Sequence, residues 1–317
     1  MLSSLEGHTD PEHHHNRIAV TSSRITAFIS AERNVWIDFN GNKINKAEIS
    51  DIIEVSAADT TIYALDLSGV VWVLSFNYNR VSHERMEGIP PIRALSTSDK
   101  FEAFVTQDNE LYARKGRKKP HKILVPNVCS VSASSSYLFI LCFDGSCYIM
   151  GKYSYVVPSH CFTRRQILYL PQATNDPSCF KFVSASNVIA IEAVKSTVCF
   201  ILSDRTVVVL SNGRLKSTDY RDVKEIFASS NEYFVSTLTE VMFASIEKSK
   251  SKNPTTVDLK ESVYTISRGA SRNKFWIVTQ EGNLLTLSPN LRVKPADKPL
   301  ARSFELIPLS RAKSARK

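Results

Sequence analysis

Short apolar runs separated by polar turns make up most of the chain. From Ile52 to Asn77, a strand of small residues (EVSA) precedes two apolar strands, TIYALDL and VVWVLSF. The polar turn Leu67-Ser68-Gly69 separates these two apolar strands. Runs of roughly four to eight β-branched and aromatic residues, bounded by Ser, Asn, Asp and Gly, are typical of antiparallel strands. No long stretch has helical periodicity, so the pattern predicts an all-β fold.

The same order of small strand, apolar strand, turn and aromatic strand recurs along the chain. With Gly69 as the reference turn position, the equivalent positions are Arg33, Gly69, Asn109, Gly145, Arg205, Thr239 and Gly282. Five of the six spacings fall between 34 and 43 residues, and the interval from Gly145 to Arg205 is 60. Repeats of this length indicate one supersecondary unit each. The long interval places an insertion at residues 152–182, where a degenerate eighth unit is the alternative.

Seven such units predict a seven-bladed β-propeller. A twisted four-stranded sheet cannot cover both of its faces alone, whereas sheets arranged radially pack against their neighbours and leave no long free edge. The small strands fit the crowded centre, and the bulky residues Trp36, Trp72, Tyr112 and Tyr148 lie on a wider strand further out. The predicted organisation is a disordered tail (1–16), the propeller (17–309) and a basic tail (310–317).

The two ends of the chain are expected to close the ring. The segment HKILVPN, from His121, supplies a strand ahead of a small strand, and the C-terminal ARSFELIPL resembles it. No small strand follows this C-terminal segment, whereas RIAVTSS at residues 17–23 has the pattern of the missing follower. We therefore expect a strand near Phe304 to Ile307 to lie beside the N-terminal sheet, and truncation after Pro299 to destabilise the fold.

The formal charge of +9 is concentrated in local clusters at residues 114–122, 248–252 and 310–317. Such clusters bind acidic partners or nucleic acid, or direct nuclear import, and the alternative interpretation is a set of solvated loops. The candidate partner-binding residues are Arg114, Lys115, Arg117, Lys118, Lys119, Arg164, Arg165, Arg311, Lys313, Arg316 and Lys317.

Cysteine usage and hydropathy favour the cytosol or the nucleus over secretion. The six cysteines form no CxxC pair and most lie in apolar runs, as expected of reduced, buried thiols. No apolar run approaches the roughly 18 residues that a membrane span needs. The polar, acid-containing N-terminus lacks the features of a signal or transit peptide.

Catalytic motifs are missing from the sequence. It contains no GxSxG, P-loop, GxGxxG or HExxH pattern, so neither a catalytic residue nor a cofactor is predicted. His13 to His15, with His8, Asp10 and Glu12 nearby, have the chemistry of a divalent-metal site. A polar tail that binds metal only adventitiously is the favoured interpretation, so no metal site is predicted either.

The unit resembles the repeat of the regulator of chromosome condensation family, roughly V-A-A-G-x-x-H-S-L-A-L-T, a turn with Gly, then V-Y-x-W-G-x-N. Residues 55–58 (VSAA) match V-A-A-G, Ala64-Leu65 match A-L, Gly69 matches the turn and Val71-Trp72 match V-Y. Asn77 matches the final Asn of the pattern. The resemblance extends from about residue 17 to 309.

The resemblance implies three possible functions. The first, which we favour, is a non-catalytic scaffold or adaptor in a cytoskeletal, ciliary or organellar assembly, whose partners are proteins. The second is a nucleotide exchange factor for a Ran-type small GTPase, with chromatin or nucleic-acid contact through the basic segments and an exchange loop around Arg164-Arg165. The third, and weakest, is an enzyme with a site at the mouth of the central channel.

Overall fold

The computed structural model describes residues 18–295 with gaps. The described residues are 18–21, 25–30, 32–39, 44–77, 80–116, 118–135, 137–151, 179–182, 187–194, 197–211, 214–228, 232–237, 241–245, 255–257, 263–268, 275–279, 284–287 and 293–295. All regular structure in these residues is β-strand. The predicted all-β class is therefore confirmed.

The strands form seven four-stranded antiparallel sheets, each built from four strands consecutive in sequence. The first sheet contains β1 (Ile18–Val20), β2 (Ile25–Ile29), β3 (Val35–Phe39) and β4 (Ile44–Lys46). The second contains β5 (Ile52–Ala58), β6 (Thr61–Asp66), β7 (Val71–Asn77) and β8 (Arg80–Arg85). The third contains β9 (Ile92–Thr97), β10 (Phe101–Thr106), β11 (Leu111–Lys115) and β12 (His121–Ile123).

The remaining four sheets follow the same plan. The fourth sheet contains β13 (Val128–Ala133), β14 (Tyr137–Cys142), β15 (Cys147–Gly151) and β16 (Cys179–Phe182), and the fifth contains β17 (Val188–Val194), β18 (Thr197–Leu202), β19 (Val207–Ser211) and β20 (Arg214–Ser217). The sixth contains β21 (Val223–Ala228), β22 (Glu232–Thr237), β23 (Val241–Ser245) and β24 (Thr255–Val257). The seventh contains β25 (Val263–Arg268), β26 (Phe275–Thr279), β27 (Leu284–Leu287) and β28 (Val293–Pro295).

The first strand of each sheet lies next to the first strand of the following sheet, from β1 through to β25, and β25 in turn lies next to β1. The small residues of these strands allow this close approach, as the sequence pattern predicts. Trp36, Trp72, Tyr112 and Tyr148 lie on the third strands, away from this contact.

The apolar core is divided into clusters that lie between consecutive sheets. One cluster joins the first and second sheets through residues such as Ile37 and Ile62. The next joins the second and third sheets through Leu65 and Phe104. Similar clusters join the third to the fourth, the fourth to the fifth and the fifth to the sixth sheets. Face-to-face burial of neighbouring sheets is therefore the main source of stability.

The predicted turn positions have the backbone conformation that a tight turn requires. The angle φ is positive at Arg33, Gly69, Asn109, Gly145 and Arg205, the five predicted positions that fall within the described residues. A second left-handed position precedes the first strand of several sheets, at Asp51, Asn127, Asn187 and Asp222. Asn and Asp tolerate this conformation better than most side chains.

Each turn is hydrogen-bonded to the following sheet. The carbonyl oxygen of Gly69 accepts from the backbone N–H of Ile92 at 2.8 Å, and the carbonyl of Asn109 accepts from the N–H of Val128 at 3.0 Å. The carbonyl of Arg205 accepts from the N–H of Val223 at 3.1 Å. These backbone bonds fix the position of each turn relative to its neighbouring sheet.

Sheet membership differs from the expectation in two places. Strand β12, within the HKILVPN segment, pairs with β11 and therefore completes the sheet before the small strand β13. The end of the predicted 152–182 insertion, Cys179–Phe182, is β16, the fourth strand of its sheet. The physical reason is the same in both cases, because an outer strand pairs most readily with the antiparallel strand that precedes it.

The first and seventh sheets each have four strands without any residue beyond Pro295. The expected closing strand near Phe304 to Ile307 lies outside the described residues, as do the two tails and the turn positions Thr239 and Gly282.

Candidate functional site

The antiparallel order of each sheet divides the connections between two faces. One side carries the turns between second and third strands and the connectors from one sheet to the next; we call this side the turn face. We call the loop face the side that carries the turns between first and second strands and the loops between third and fourth strands. The basic cluster at residues 114–122 begins at the end of β11, on the loop face.

Within this cluster, Arg114 has a structural contact that the sequence does not reveal. Its guanidinium donates to the Glu102 carboxylate on the neighbouring strand and, at 3.0 Å, to the Tyr63 hydroxyl of the preceding sheet. Burial raises the pKa of Tyr63, and the Glu102 carboxylate raises it further. Arg114 therefore bridges two sheets, and its charge is already paired.

The lysines of the cluster are more accessible. Lys115 is exposed, and its ammonium lies 5.5 Å from the centre of the Phe101 ring. Lys118, Lys119 and Lys100 are also exposed, and the carbonyl of Lys100 accepts from the N–H of Gly116 at 3.1 Å. These four lysines form a basic surface on the loop face. Lys115, Lys118 and Lys119 were predicted as partner-binding residues from the sequence, and Lys100 was not.

Lys122 is engaged by a neighbouring carboxylate. Its ammonium lies 2.6 Å from Glu110 across β11 and β12, and this hydrogen bond raises the pKa of Lys122. The other predicted partner-binding residues, Arg117, Arg164, Arg165, Arg311, Lys313, Arg316 and Lys317, lie outside the described residues.

The described part of the turn face carries an excess of acidic side chains. Its described turns and connectors contain ten acidic and three basic side chains. The acidic residues are Glu32, Glu48, Asp51, Glu87, Asp108, Glu110, Asp144, Asp204, Asp219 and Asp222, and the basic ones are Arg33, Arg205 and Arg221. At the same face, Asp66, Lys46 and Arg85 are the last residues of their strands. This excess was not predicted, since the formal charge of the whole chain is +9. Its signal in the sequence is an acidic residue directly beside the turn positions Arg33, Asn109, Gly145 and Arg205.

Several turn-face carboxylates order the turns themselves. Asp66 Oδ1 accepts from the N–H groups of Ser68 and Val70, each at 2.9 Å, and Oδ2 accepts from Trp72 Nε1 at 3.0 Å. Asp144 and Asp204 each accept from the residue two positions later in the same way. Part of the negative charge is therefore structural.

Arg93 supports the turn face between the third and fourth sheets. Its guanidinium donates to the Asn109 side-chain oxygen at 2.9 Å and to the carbonyls of Val128 and Cys129 at 2.7 and 2.8 Å. The same guanidinium lies 5.4 Å from the centre of the Phe143 ring. Phe143 is thereby held in place although its side chain is 41% exposed.

A polar groove lies between the outer strands β4 and β8. It is lined by side chains of both charges, including Lys46, Glu48, Arg80 and His83. Among the described residues, no group of three or more His, Cys, Asp or Glu side chains has the arrangement of a metal site. None of the described elements is a helix long and apolar enough to cross a membrane.

The four cysteines whose side chains the structure describes, Cys129, Cys142, Cys147 and Cys199, are buried. Burial raises the pKa of both Cys147 and Cys199, so neither thiol is activated as a nucleophile.

No family model matches the sequence, and no curated protein matches it. Solved structures do resemble the fold. A structure of Kap60 bound to yeast RCC1 (Prp20) matches with a TM-score of 0.62 at 11% identity, covering 91% of this chain and 86% of the other. Human WBSCR16 matches with a TM-score of 0.60 at 12% identity, covering 80% and 85%.

Prp20p from Saccharomyces cerevisiae, a protein described by its binding to Gsp1p and histones, matches with a TM-score of 0.58 at 13% identity, covering 75% of this chain and 72% of that chain. At such identities the likeness shows the fold alone. The sheets and these similarities together define an all-β protein of the propeller type. The structures that resemble it include RCC1 (Prp20), the kind of propeller that the sequence repeat resembles.

Proposed function

We propose that this chain is a non-catalytic interaction scaffold, built as a closed seven-bladed propeller of the regulator of chromosome condensation type. The number of four-stranded sheets and the contact of β25 with β1 support the closed ring. The protein acts as a subunit or adaptor in a larger cytoskeletal, ciliary or organellar assembly of the cytosol or nucleus.

One observation carries this proposal: the turn face is an ordered surface with an excess of acidic side chains among its described residues. Backbone hydrogen bonds tie each described turn of this face to the next sheet, so this surface is already ordered before a partner binds. Preorganised surfaces lose little conformational entropy on association, which favours binding. Connections on a rigid scaffold are the usual location of binding residues.

Crosslinking in cells followed by affinity capture of the full chain tests the scaffold function. We expect a stoichiometric protein partner whose crosslinks map to the turns and loops of one face. Recovery of the chain as an uncrosslinked monomer, or crosslinks scattered over all sheets at low yield, contradicts the proposal.

A second candidate function is guanine nucleotide exchange on a Ran-type GTPase, with chromatin or nucleic-acid contact through the basic segments. The structural likeness to Prp20p favours it, since that protein is described by its binding to Gsp1p and histones. The lysine surface on the loop face has the charge that phosphate contact needs.

Salt-dependent binding to duplex DNA tests the nucleic-acid part of this candidate. If the lysines contact phosphates, replacing Lys115, Lys118 and Lys119 by Ala lowers the slope of log affinity against log salt by about one for each lysine. Lys122→Ala is the matched control, because Glu110 already pairs with that ammonium. An equal slope in the triple variant and the wild type excludes the lysine surface as the contact.

A further inference from the structure

The turn face also carries the exposed large apolar side chains of the described residues. These are Leu67, Leu124 and Phe143, which are 51%, 36% and 41% exposed. Leu67 and Phe143 occupy the same place in their turns, two residues before the left-handed positions Gly69 and Gly145. Leu124 directly follows β12, in the connector to the fourth sheet.

The three side chains belong to one rigid part of the turn face that extends over the second, third and fourth sheets. Phe143 donates its backbone N–H to the carbonyl of Asn127, in the connector that contains Leu124, at 3.0 Å. Gln107, in the turn of the third sheet, donates to the carbonyl of Pro91 at 3.0 Å, and Ile92 donates to Gly69 at 2.8 Å. A continuous series of backbone bonds therefore links these turns.

Acidic side chains surround these apolar residues. Asp66 and Asp144 are adjacent to Leu67 and Phe143 in sequence, and the exposed Asp108 lies in the turn between them. The described turns and connectors of this face carry a clear excess of acidic over basic residues. Apolar anchors bordered by charge are typical of protein interfaces, and the sign of the charge selects the partner.

We propose that the turn face of the second to fourth sheets binds a basic segment of a partner protein, with Leu, Phe or similar side chains that pack on Leu67, Leu124 and Phe143. Charge complementarity identifies the occupant: Lys and Arg residues of the segment pair with the turn-face carboxylates. This inference rests on the proposed scaffold function and adds the face and the chemistry of the partner.

Selection from a random peptide library on the immobilised full chain tests the inference, followed by titration of the best peptide by fluorescence anisotropy. We expect the selected peptides to be rich in Lys and Arg and to contain large apolar residues. Replacing Leu67 and Phe143 together by Ser is expected to weaken binding by at least about tenfold. Raised salt weakens binding as well, because the contacts are between exposed charges.

The matched control replaces Arg80, an exposed residue at the start of the outer strand β8, by Ser, and its affinity is expected to stay within about twofold of the wild type. A lysine variant, in which Ser replaces Lys118 and Lys119, tests the loop face as the alternative binding surface. All replaced side chains are exposed, so the melting temperatures of the variants serve to verify the fold. Selection of acidic peptides, or binding that is lost in the lysine variant and kept in the Leu67 and Phe143 variant, overturns this inference and leaves the scaffold function standing. Failure to enrich any peptide above the bare support counts against the scaffold function itself.

Discussion

Gly69 is a turn residue whose place in the repeat leaves no room for a side chain. Its φ is +87°, and a Cβ atom there would lie 2.8 Å from the carbonyl oxygen and 2.9 Å from the nitrogen of Ile92 in the next sheet. Both contacts are with backbone atoms, which cannot rotate away as a side chain can. The glycine therefore permits the hydrogen bond between the second and third sheets.

Gly69→Ala should consequently lower the free energy of unfolding by about 2 to 4 kcal/mol, through the left-handed conformation and the displaced strand. Gly88→Ala is the control, since Gly88 also has a positive φ of 78° but nothing within 4 Å of its Cβ position. It should cost only about 1 kcal/mol. Urea unfolding of both variants measures the difference, and equal losses would show that the close approach does not matter.

Asp66 should make stability depend on pH. Burial acts to raise its pKa, but the hydrogen bonds from Ser68, Trp72 and Val70 outweigh this and lower the pKa below 3.8. A carboxylate with a lowered pKa in the folded state adds stability above its ordinary pKa and loses it as the pH falls. Asp66→Asn should therefore cost about 1 kcal/mol at neutral pH, the value of one hydrogen bond at a partly exposed site.

The cost of Asp66→Asn should begin to shrink as the pH falls through the ordinary carboxyl pKa of 3.8, where the unfolded chain takes up a proton, and should be lost only below the lowered pKa of folded Asp66. Thermal unfolding of both proteins across the acid range tests this. A difference in stability that stays constant down to the lowest pH would contradict the assigned role of the carboxylate.

The sequence predicted the turn residues well and the role of Arg114 poorly. Turn positions follow from a local pattern, since Gly, Asn and the adjacent polar residues stand at fixed places in each unit. Arg114 stands among other basic residues, and its partner Tyr63 belongs to another sheet. A contact across such a distance in sequence depends on the packing of the sheets, so it leaves no local signal.

At the scale of the strands, serine hydroxyls join the first strands of neighbouring sheets. The hydroxyl of Ser56 accepts from the N–H of Thr97 at 2.9 Å, that of Ser96 from Ala133 at 2.9 Å, and that of Ser132 from Ala193 at 2.8 Å. The three serines occupy the same place in their strands. The small residues of these strands therefore bond to the next sheet as well as allowing close packing.

Ser132→Ala should leave the buried N–H of Ala193 without this acceptor and lower the free energy of unfolding by about 1 to 3 kcal/mol. Ser203→Ala is the control, because Ser203 is an exposed turn residue and its substitution should change stability by less than about 0.5 kcal/mol. Hydrogen exchange at the Ala193 amide adds a local measurement. Unchanged protection of this amide in Ser132→Ala would refute the proposed link.

The strand pattern gave the first three strands of each unit, but not the membership of the fourth strand. Outer strands such as β12 and β16 are short, at 3 and 4 residues, and carry little periodicity. The repeated register shift after the first residue of the inner strands, for example between Ile52 and Glu54, was not predicted either. Bulges of this kind adjust the backbone between sheets, and their cause is tertiary.

At the scale of the whole molecule, the junction between the last and first sheets decides the architecture. β25 lies next to β1, and both sheets have four strands without the C-terminal segment. If the ring closes in this way, truncation after Pro299 should shift the melting temperature by no more than a few degrees. A large fall in melting temperature would instead support the strand near Phe304 to Ile307 that the sequence led us to expect.

The acidic excess of the described turn face is also a property that spans several sheets. The sequence shows basic clusters and a positive net charge, and both draw attention to the lysines. The acidic residues of the turn face are single positions in separate units, and they become one surface only when the sheets are assembled. Their collective effect on partner choice could not be predicted before the topology was known.

The scaffold function is tested most directly by nucleotide release from a Ran-type GTPase loaded with fluorescent GDP. Nucleotide exchange is the catalytic alternative to the non-catalytic scaffold function. The assay needs only the purified full chain and the loaded GTPase. If the chain is a scaffold, release stays at the intrinsic rate of the GTPase when the chain is added in catalytic amounts. Accelerated release under the same conditions would contradict it and establish the chain as an exchange factor.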